Sequence, residues 1–163
     1  MSELNIRAID ADDFHLAWPV FREVIAGGDT YSFPPDMDFA AARAAWTTPP
    51  ARTYVAERDG TVLGCYVLKP NQPGLGDHVA NAGYMVAAAA RGQGIASAMC
   101  LHSMDEARRA GFTAMQFNFV VATNTKAVAL WQRHGFAIVG RVPGAFRHAV
   151  HGPTDVYVMH RYL

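Results

Sequence analysis

Apolar and polar positions along the chain follow two periods, and together they predict seven strands and four helices. Strands are predicted at residues 4–9, 53–57, 62–68, 79–87, 113–121, 136–142 and 155–162, where apolar residues run together or alternate. Helices are predicted at residues 10–25, 38–46, 92–111 and 124–134, where apolar or small residues recur at helical spacing. A Gly-Gly pair, a Pro-Pro pair and single glycines end these helices. The predicted order is β-α-α-β-β-β-α-β-α-β-β.

The connections between these elements predict a mixed, twisted sheet with helices on both faces, an α/β (α+β) fold. Asp59-Gly60 lies between two strand-like runs, which is typical of a hairpin between antiparallel strands. The strand–helix–strand unit at residues 79–121 instead predicts one parallel pair. No internal repeat or long linker interrupts the pattern, so residues 1–163 are expected to form a single domain.

Composition and charge limit the classes of partner that this chain is expected to bind. Of the 163 residues, 51% are hydrophobic and 17% are charged, as in globular proteins. The formal net charge is zero, which predicts no general attraction to nucleic acid or to an anionic membrane. The N-terminal segment is polar and acidic, unlike a signal peptide, and no apolar run approaches the ~20 residues of a membrane span.

The two cysteines, Cys65 and Cys100, lie outside any CxxC or CxxH arrangement, so no metal site is expected. Free, buried thiols are expected instead. Two thiols without a disulfide pattern fit a reducing compartment, and the predicted location is therefore cytoplasmic.

The segment from residue 84 to residue 96 is the most informative in the chain, because a strand ends there and a helix begins at a glycine pair. Amide groups in the first turn of a helix have no partner within it and lie at the positive end of the helix dipole. Gly92 and Gly94 remove side chains, so a diphosphate can approach the backbone, and Arg91 can add a charge-assisted contact. Taken alone, the pattern fits a plain turn as well as a phosphate site. It matches neither the P-loop GxxxxGK[ST] nor the dinucleotide GxGxxG pattern.

A second segment decides between these two interpretations. Residues 91–96, RGQGIA, resemble the R/Q-x-x-G-x-G/A signature of GNAT acetyltransferases. Residues 124–136, NTKAVALWQRHGF, resemble the second motif of that family, Asn-x-x-Ala-x-x-Leu-[Tyr/Trp] followed by Gly-Phe. The two segments are about 30 residues apart with a helix and a strand between them, and with the element order the resemblance covers nearly the whole chain.

The resemblance implies an acetyl-CoA-dependent N-acetyltransferase with a splay between the fourth and fifth strands, where the pantetheine arm pairs with the fourth strand. A backbone N–H near Met85 or Val86 would polarise the thioester carbonyl and stabilise the tetrahedral intermediate of direct transfer. A bulge near residues 84–86 is predicted to aim that N–H. The residues implied to bind the cofactor are Met85, Val86, Ala87, Arg91, Gly92, Gln93, Gly94, Ile95, Ala96, Asn124, Ala127 and Trp131, and no metal is implied.

One residue departs from the family pattern. Many family members carry a tyrosine where this chain has Trp131, and that tyrosine protonates the departing thiolate. An indole N–H can donate a hydrogen bond but cannot deliver a proton at neutral pH. Another donor such as water would then serve, or the thiolate would leave unassisted, and Trp131 is expected to be a core aromatic.

The acceptor side of the site offers several candidates. Asn118, predicted in a buried strand, is either a substrate contact with a catalytic role or a structural amide. Tyr84 is either a proton donor in catalysis or a core residue. Tyr31 and Phe33 lie in the loop after the first helix, where family members often line the acceptor pocket. His134 is expected to face solvent.

Within the family, the chain looks most like small-molecule acetyltransferases of the phosphinothricin and azetidine-carboxylate type. The similar runs are YSFP at residues 31–34, MQFNFVV at 115–121 and GPTDVYVM at 152–159. This resemblance implies a small amine as acceptor, such as an amino acid or an analogue, and the zero net charge predicts no nucleic-acid or membrane partner. A ribosomal-protein or protein N-terminus acetyltransferase is the alternative, and a non-catalytic acyl-CoA sensor is a third hypothesis. A homodimer is also expected.

Overall fold

The computed structural model describes residues 2–163 and arranges that part of the chain around one seven-stranded sheet. The strands are β1 Asn5–Ile9, β2 Arg52–Arg58, β3 Thr61–Pro70, β4 Val79–Val86, β5 Ala114–Val121, β6 Ala137–His148 and β7 Gly152–Tyr162. The helices are α1 Trp18–Ala26, α2 Phe39–Thr47, α3 Ile95–Arg109 and α4 Thr125–Arg133, with short 3₁₀ turns at Ala11–Leu16, Gly74–Gly76 and Ala88–Ala90. The predicted order of strands and α-helices is confirmed.

The sheet is mixed, as predicted, and its strands follow the order β1-β2-β3-β4-β5-β7-β6. Only β4 and β5 pair in parallel, and the other neighbours are antiparallel. Because successive side chains of a strand point to opposite faces, Cys65 packs with α1 and α2 while Tyr66 packs with α3 and α4. Two hydrophobic cores therefore lie on the two faces of the sheet, which confirms the helices on both sides.

The first predicted helix is two elements in the structure. The Asp10 carboxylate caps a 3₁₀ turn by accepting hydrogen bonds from the N–H groups of Asp12 and Asp13, at 2.9 and 3.1 Å. Helix α1 begins only at Trp18, with Pro19 in its first turn. Proline has no N–H to donate, so it suits the start of a helix and not the interior that the sequence pattern predicted.

The last hairpin is longer than predicted, because β6 and β7 continue to a turn at residues 149–151. A register shift between Val142 and Phe146 lets the pair continue past Gly144, a residue type that weakens a strand pattern in sequence. At the tip of the hairpin, the Ala149 N–H donates to the Gly28 carbonyl at 3.0 Å. The hairpin tip therefore rests on the loop that follows α1.

Both cysteines are free and buried, as predicted. Burial raises the pKa of the Cys100 thiol to about 12, and burial also raises the pKa of Cys65. Both thiols stay protonated near neutral pH and act as small apolar core residues. Within residues 2–163, no helix has the length and apolar character needed to cross a membrane.

Candidate active site

A gap opens between the two parallel strands at the centre of the sheet. β4 and β5 pair only at Val79 with Ala114 and at Ala80 with Met115, and beyond these pairs the strands separate. Where the gap begins, the Asn81 side chain donates to the Gln116 carbonyl at 3.0 Å. The splay between the fourth and fifth strands is therefore confirmed, and a side-chain amide replaces the first lost ladder bond.

The backbone of β4 presents polar groups to this gap. The Ala87 N–H donates to the Leu63 carbonyl at 2.8 Å, at the end of the β3–β4 ladder. Since bonded and non-bonded pairs alternate in an antiparallel ladder, odd-numbered residues of β4 bond β3 and even-numbered residues face the gap. The Val86 N–H therefore points into the splay and has no partner in the β3–β4 ladder.

The bulge predicted near residues 84–86 is wrong. The register between β3 and β4 runs without interruption from Gly64 opposite Val86 to Pro70 opposite Ala80. No bulge is needed to expose the Val86 N–H, because the departure of β5 already leaves that edge of β4 free.

The N-terminal end of α3 fits an anion. Gly92 and Gly94 have φ of 75° and 78°, and a Cβ built at either position would meet no atom within 4 Å. Gly94 is the N-cap residue and makes no side-chain capping bond, and the first turn of α3 contains no acidic residue. The free amides of that turn therefore face open space beside the exposed Arg91.

The close packing of α3 on the sheet depends on Gly64 in β3. A Cβ built at Gly64 would lie 2.9 Å from Met99 and 3.1 Å from Ile95, both on α3. The missing side chain lets the start of α3 lie directly over β3, next to the gap. Gly64 is a positioning residue that the motif alone did not reveal.

Helix α4 forms the other wall of the gap. The Asn124 side chain accepts from the Ala127 N–H at 3.4 Å and caps the helix. The ring of Trp131 is 8% exposed and packs 4.9 Å from Tyr84 and 5.2 Å from Phe117, measured between ring centroids. Trp131 is thus a core aromatic, as predicted, that also borders the cleft.

The expectation that His134 faces solvent is wrong. His134 is partly buried at the end of α4, and its Nε2 lies 2.8 Å from Ser97 Oγ in α3. The two helices that carry the two motifs are thereby hydrogen-bonded to each other. No local pattern indicates this contact, because the two residues are far apart along the chain.

A continuous cleft of ≈ 830 Å³ passes through the gap and reaches both faces of the sheet. Most of the predicted site residues line it: Tyr31, Phe33, Tyr84, Met85, Val86, Arg91, Gly92, Gly94, Ile95, Ala96, Asn118, Asn124, Ala127 and Trp131.

Two predicted cofactor residues do not line this cleft, namely Ala87 and Gln93. The N–H of Ala87 is occupied by β3. The side chain of Gln93 bonds instead to Arg58 and to the Ala89 carbonyl, at 3.2 and 3.3 Å.

Several lining residues were not predicted, and two of them are the only lysines in the chain, Lys69 and Lys126. Lys126 lies on α4 within the second motif, so its position in that segment was the available signal. Lys69 lies on β3 at the opposite end of the cleft, where no local pattern marks it. Arg133 adds a further cation on the α4 side.

The other end of the cleft lies on the face of the sheet covered by α1 and α2. The rings of Tyr31 and Phe33 stack with centroids 5.9 Å apart, and Tyr31 Oη donates to the Tyr84 carbonyl at 3.0 Å. A Cβ at Gly83 would lie 2.8 Å from Tyr31 Oη, so the glycine makes room for this contact. Burial raises the pKa of Tyr31, which keeps the hydroxyl protonated and able to donate.

Asn118 is exposed, contrary to the expectation of a buried strand position. Its Nδ2 donates to Asn71 Oδ1 at 2.6 Å, and its Oδ1 accepts from Gln116 Nε2 at 2.9 Å. The register of β5 with β7 shifts between Phe117 and Val120, so β5 loses regular pairing there on both edges. Asn118 thus lies on the cleft wall with Gln116 on the same face, as the period of two predicted.

The side chain of Tyr84 belongs to the core. Its hydroxyl lies 2.6 Å from Ser103 Oγ, and Ser103 donates to the Cys100 carbonyl at 2.7 Å. Tyr84 therefore donates to Ser103, and burial raises its pKa well above the usual value. Of the two interpretations of Tyr84, this placement favours the core residue over the proton donor.

The cleft contains few titratable groups. Among the lining residues that the structure describes, Asp29 is the one carboxylate and there is no histidine. No group of three or more His, Cys, Asp or Glu side chains in residues 2–163 is arranged to hold a metal ion.

Comparison with known proteins agrees with this geometry. Residues 14–136 match the family model described as "Acetyltransferase (GNAT) family". The chain is 34% identical over 157 residues to N-acetyltransferase aca1 of Schizosaccharomyces pombe, covering 96% of this chain and 68% of that protein.

Solved structures give the same result. A GCN5-related N-acetyltransferase from Kribbella flavida is 49% identical, with a TM-score of 0.91 and 98% of each chain covered. A GNAT superfamily phosphinothricin acetyltransferase from Sinorhizobium meliloti, solved in complex with AcCoA, is 20% identical with a TM-score of 0.85. That match covers 100% of this chain and 89% of the other, and it shows a shared fold.

Proposed function

Because this chain belongs to the GNAT family of acetyltransferases, which use acetyl-CoA, we propose that it acetylates a small amine such as an amino acid or an amino-acid analogue. The observation that carries the proposal is the cleft of ≈ 830 Å³, which joins an anion-type helix end on one face of the sheet to a tyrosine-lined pocket on the other. A cleft of this size suits a small ligand enclosed by protein.

The residues on the α3–α4 side fit a CoA ester. Acetyl-CoA supplies an activated acyl thioester when bound. The amides of residues 92–96 would hold its diphosphate, because Gly92 and Gly94 leave the space beside them open. Arg91 would add charge from the loop, and Asn124 and Ala127 would border the pantetheine arm.

The residues of β4 would polarise the thioester. The Val86 N–H faces the gap and would donate to the carbonyl oxygen, where negative charge develops during acyl transfer. Met85, the neighbouring residue, is 1% exposed and packs against the α1–α2 core, which fixes the strand beneath the reacting group.

The acceptor amine would enter from the α1–α2 face. Tyr31 and Phe33 would wall the pocket, and the amide of Asn118 would orient the acceptor. The amine must lose a proton before it attacks, and water in the cleft would carry that proton towards Asp29. Water would likewise protonate the thiolate, because Trp131 carries no acidic proton.

We extend the proposal to the whole molecule. The single sheet supports one acetyltransferase domain over residues 1–163, and two buried free thiols fit the cytoplasm.

The edge strand β6 exposes Ile138, Val139 and Val142, which supports a homodimer through that edge. Analytical ultracentrifugation tests this: Val139→Lys should shift a dimer to monomer, and a monomeric parent chain contradicts it.

The experiment that tests the function is a thiol-release assay with acetyl-CoA and a panel of acceptors. The panel contains free amino acids, amino-acid analogues, and short peptides with a free N-terminus. Turnover with one or more free amino acids or analogues is expected. Turnover with the peptides alone would contradict the small-amine acceptor. CoA binding without turnover on any acceptor would favour a sensor.

A further inference from the structure

Arg58 lies outside the cleft yet contacts the loop that precedes α3. It is the last residue of β2, and it follows Tyr54 and Ala56 on the face of that strand that packs under α3. Its Nη1 donates to Gln93 Oε1 at 3.2 Å. The turn between β2 and β3 is therefore tied to the loop at residues 89–94 by one guanidinium group.

Gln93 also bonds to the backbone of the loop. Its Nε2 donates to the Ala89 carbonyl at 3.3 Å, so one amide side chain bridges the start of the loop and the Arg58 guanidinium. The loop between these two bonds contains Gly92, and it leads directly to Gly94, the N-cap of α3. A glycine-rich loop has wide conformational freedom, and bonds at its ends restrict that freedom.

The Arg58 guanidinium is partly buried. Its Nε is buried and has no hydrogen-bond partner among residues 2–163. A buried donor without a partner costs free energy. The Nη1 of the same guanidinium does reach Gln93, whereas the Nζ of a lysine would lie one bond nearer the backbone.

We propose that Arg58 is a positioning residue for CoA binding, which acts through Gln93 to hold the loop at residues 89–94 in the shape that receives the diphosphate. This inference rests on the proposed CoA site. Neither Arg58 nor Gln93 lines the cleft, so the effect is exerted through the loop backbone and not through direct contact with the ligand. Preorganised amides bind an anion without paying the ordering entropy at the moment of binding.

The test compares CoA with pantetheine. Pantetheine presents the same thiol arm but lacks the 3′-phospho-ADP half of CoA, and with it the diphosphate. Arg58→Ala is expected to raise the Kd of CoA about three- to tenfold, the usual range for loss of one hydrogen bond, and to leave the Kd of pantetheine within about twofold. Calorimetry measures the first, and NMR titration measures the second.

A double variant, Arg58→Ala with Gln93→Ala, shows whether Arg58 affects CoA binding through Gln93 or through its charge alone. If Arg58 works through Gln93, adding Arg58→Ala to Gln93→Ala raises the Kd of CoA no further. A full additional effect in the Gln93→Ala background would overturn the proposal, and so would an equal loss of affinity for pantetheine. Arg58→Lys should restore less than half of the lost affinity, because the lysine Nζ lies one bond nearer the backbone than the Nη1 that contacts Gln93.

The wild-type titration keeps this inference distinct from the proposed function. If the wild-type chain fails to bind CoA, the proposed function fails. If it binds CoA and Arg58→Ala binds equally well, only the positioning role of Arg58 fails.

Discussion

The two ends of the cleft are built in different ways. At the α3–α4 end, the binding surface consists of main-chain amides and two glycines from one short stretch of sequence, residues 91–96. At the α1–α2 end, it consists of side chains from separate segments, among them Tyr31, Lys69 and Asn118. A backbone surface needs only the correct loop geometry, whereas a side-chain surface depends on which distant segments the fold brings together.

The substitution with the largest expected effect places a side chain on the backbone surface at the α3–α4 end. Gly94→Leu should raise the Kd of CoA at least about 100-fold, since a side chain would occupy the space in front of the α3 amides. Gly111→Leu is the matched control, because Gly111 has φ of 90° and open space but lies at the other end of α3. Both variants should lose similar thermal stability, and only Gly94→Leu should lose CoA, as measured by calorimetry. Normal CoA affinity in Gly94→Leu would contradict the diphosphate assignment.

The second prediction distinguishes the two ends of the cleft by replacing one asparagine at each end with alanine. Asn118→Ala should raise the KM of the acceptor about tenfold and leave the Kd of CoA unchanged, because Asn118 lies with Asn71 on the wall proposed for the acceptor. Asn124→Ala should do the reverse, since Asn124 caps α4 beside the proposed CoA site and bonds the Ala127 N–H. Steady-state kinetics with both substrates measures the pair of constants. Weaker CoA binding in Asn118→Ala would place that residue at the wrong end.

The contrast between the two ends also explains what could be predicted from sequence. The order of elements followed from periodicity and the α3 loop from residues 91–96, because these features depend on local pattern, whereas the splay was implied by the resemblance to the GNAT family. Gly64 and Gly83 were missed, since their importance comes from Met99 and Tyr31, which approach them only in the folded chain. The exposure of Asn118 was missed for the same reason.

Two details of the geometry near the site were not specified by the motifs. The bulge expected near Val86 is absent from the β3–β4 register, because a whole neighbouring strand departs instead. Gln93 falls within the signature segment, yet its side chain turns away to Arg58. A motif thus specifies the backbone path of the loop better than it specifies the direction of each side chain.

The third prediction concerns Trp131, which borders the cleft. Trp131→Tyr should change kcat by no more than about threefold at neutral pH, because Trp131 packs against Tyr84 and Phe117 and supplies no proton in the parent chain. A pH profile of kcat is the measurement, with Trp131→Phe as the control for the lost indole volume. A rise of more than about 100-fold in Trp131→Tyr would show that acid catalysis limits the parent chain.

The smallest expected effect lies on α3, away from both ends of the cleft. Burial lowers the pKa of His102, whose Nδ1 lies 2.8 Å from the Tyr66 hydroxyl. Glu106 and Asp105 on the same helix oppose this shift and Arg109 adds to it, but burial is the largest cause. The unfolded chain therefore takes up a proton at higher pH than the folded chain does, so the folded state is destabilised as the pH falls below about 6.5.

The direction of the His102 pKa shift predicts a measurable difference in thermal stability between the parent chain and the His102→Gln variant. The parent chain should lose more thermal stability than His102→Gln when the buffer changes from about pH 7.5 to about pH 5.5, because glutamine can accept from Tyr66 without taking up a proton. Thermal denaturation at both pH values gives the comparison. The Kd of CoA for the variant at pH 7.5 should match that of the parent, since α3 keeps its N-terminal amides. An equal loss of stability in both chains would show that other groups cause the acid sensitivity of the fold.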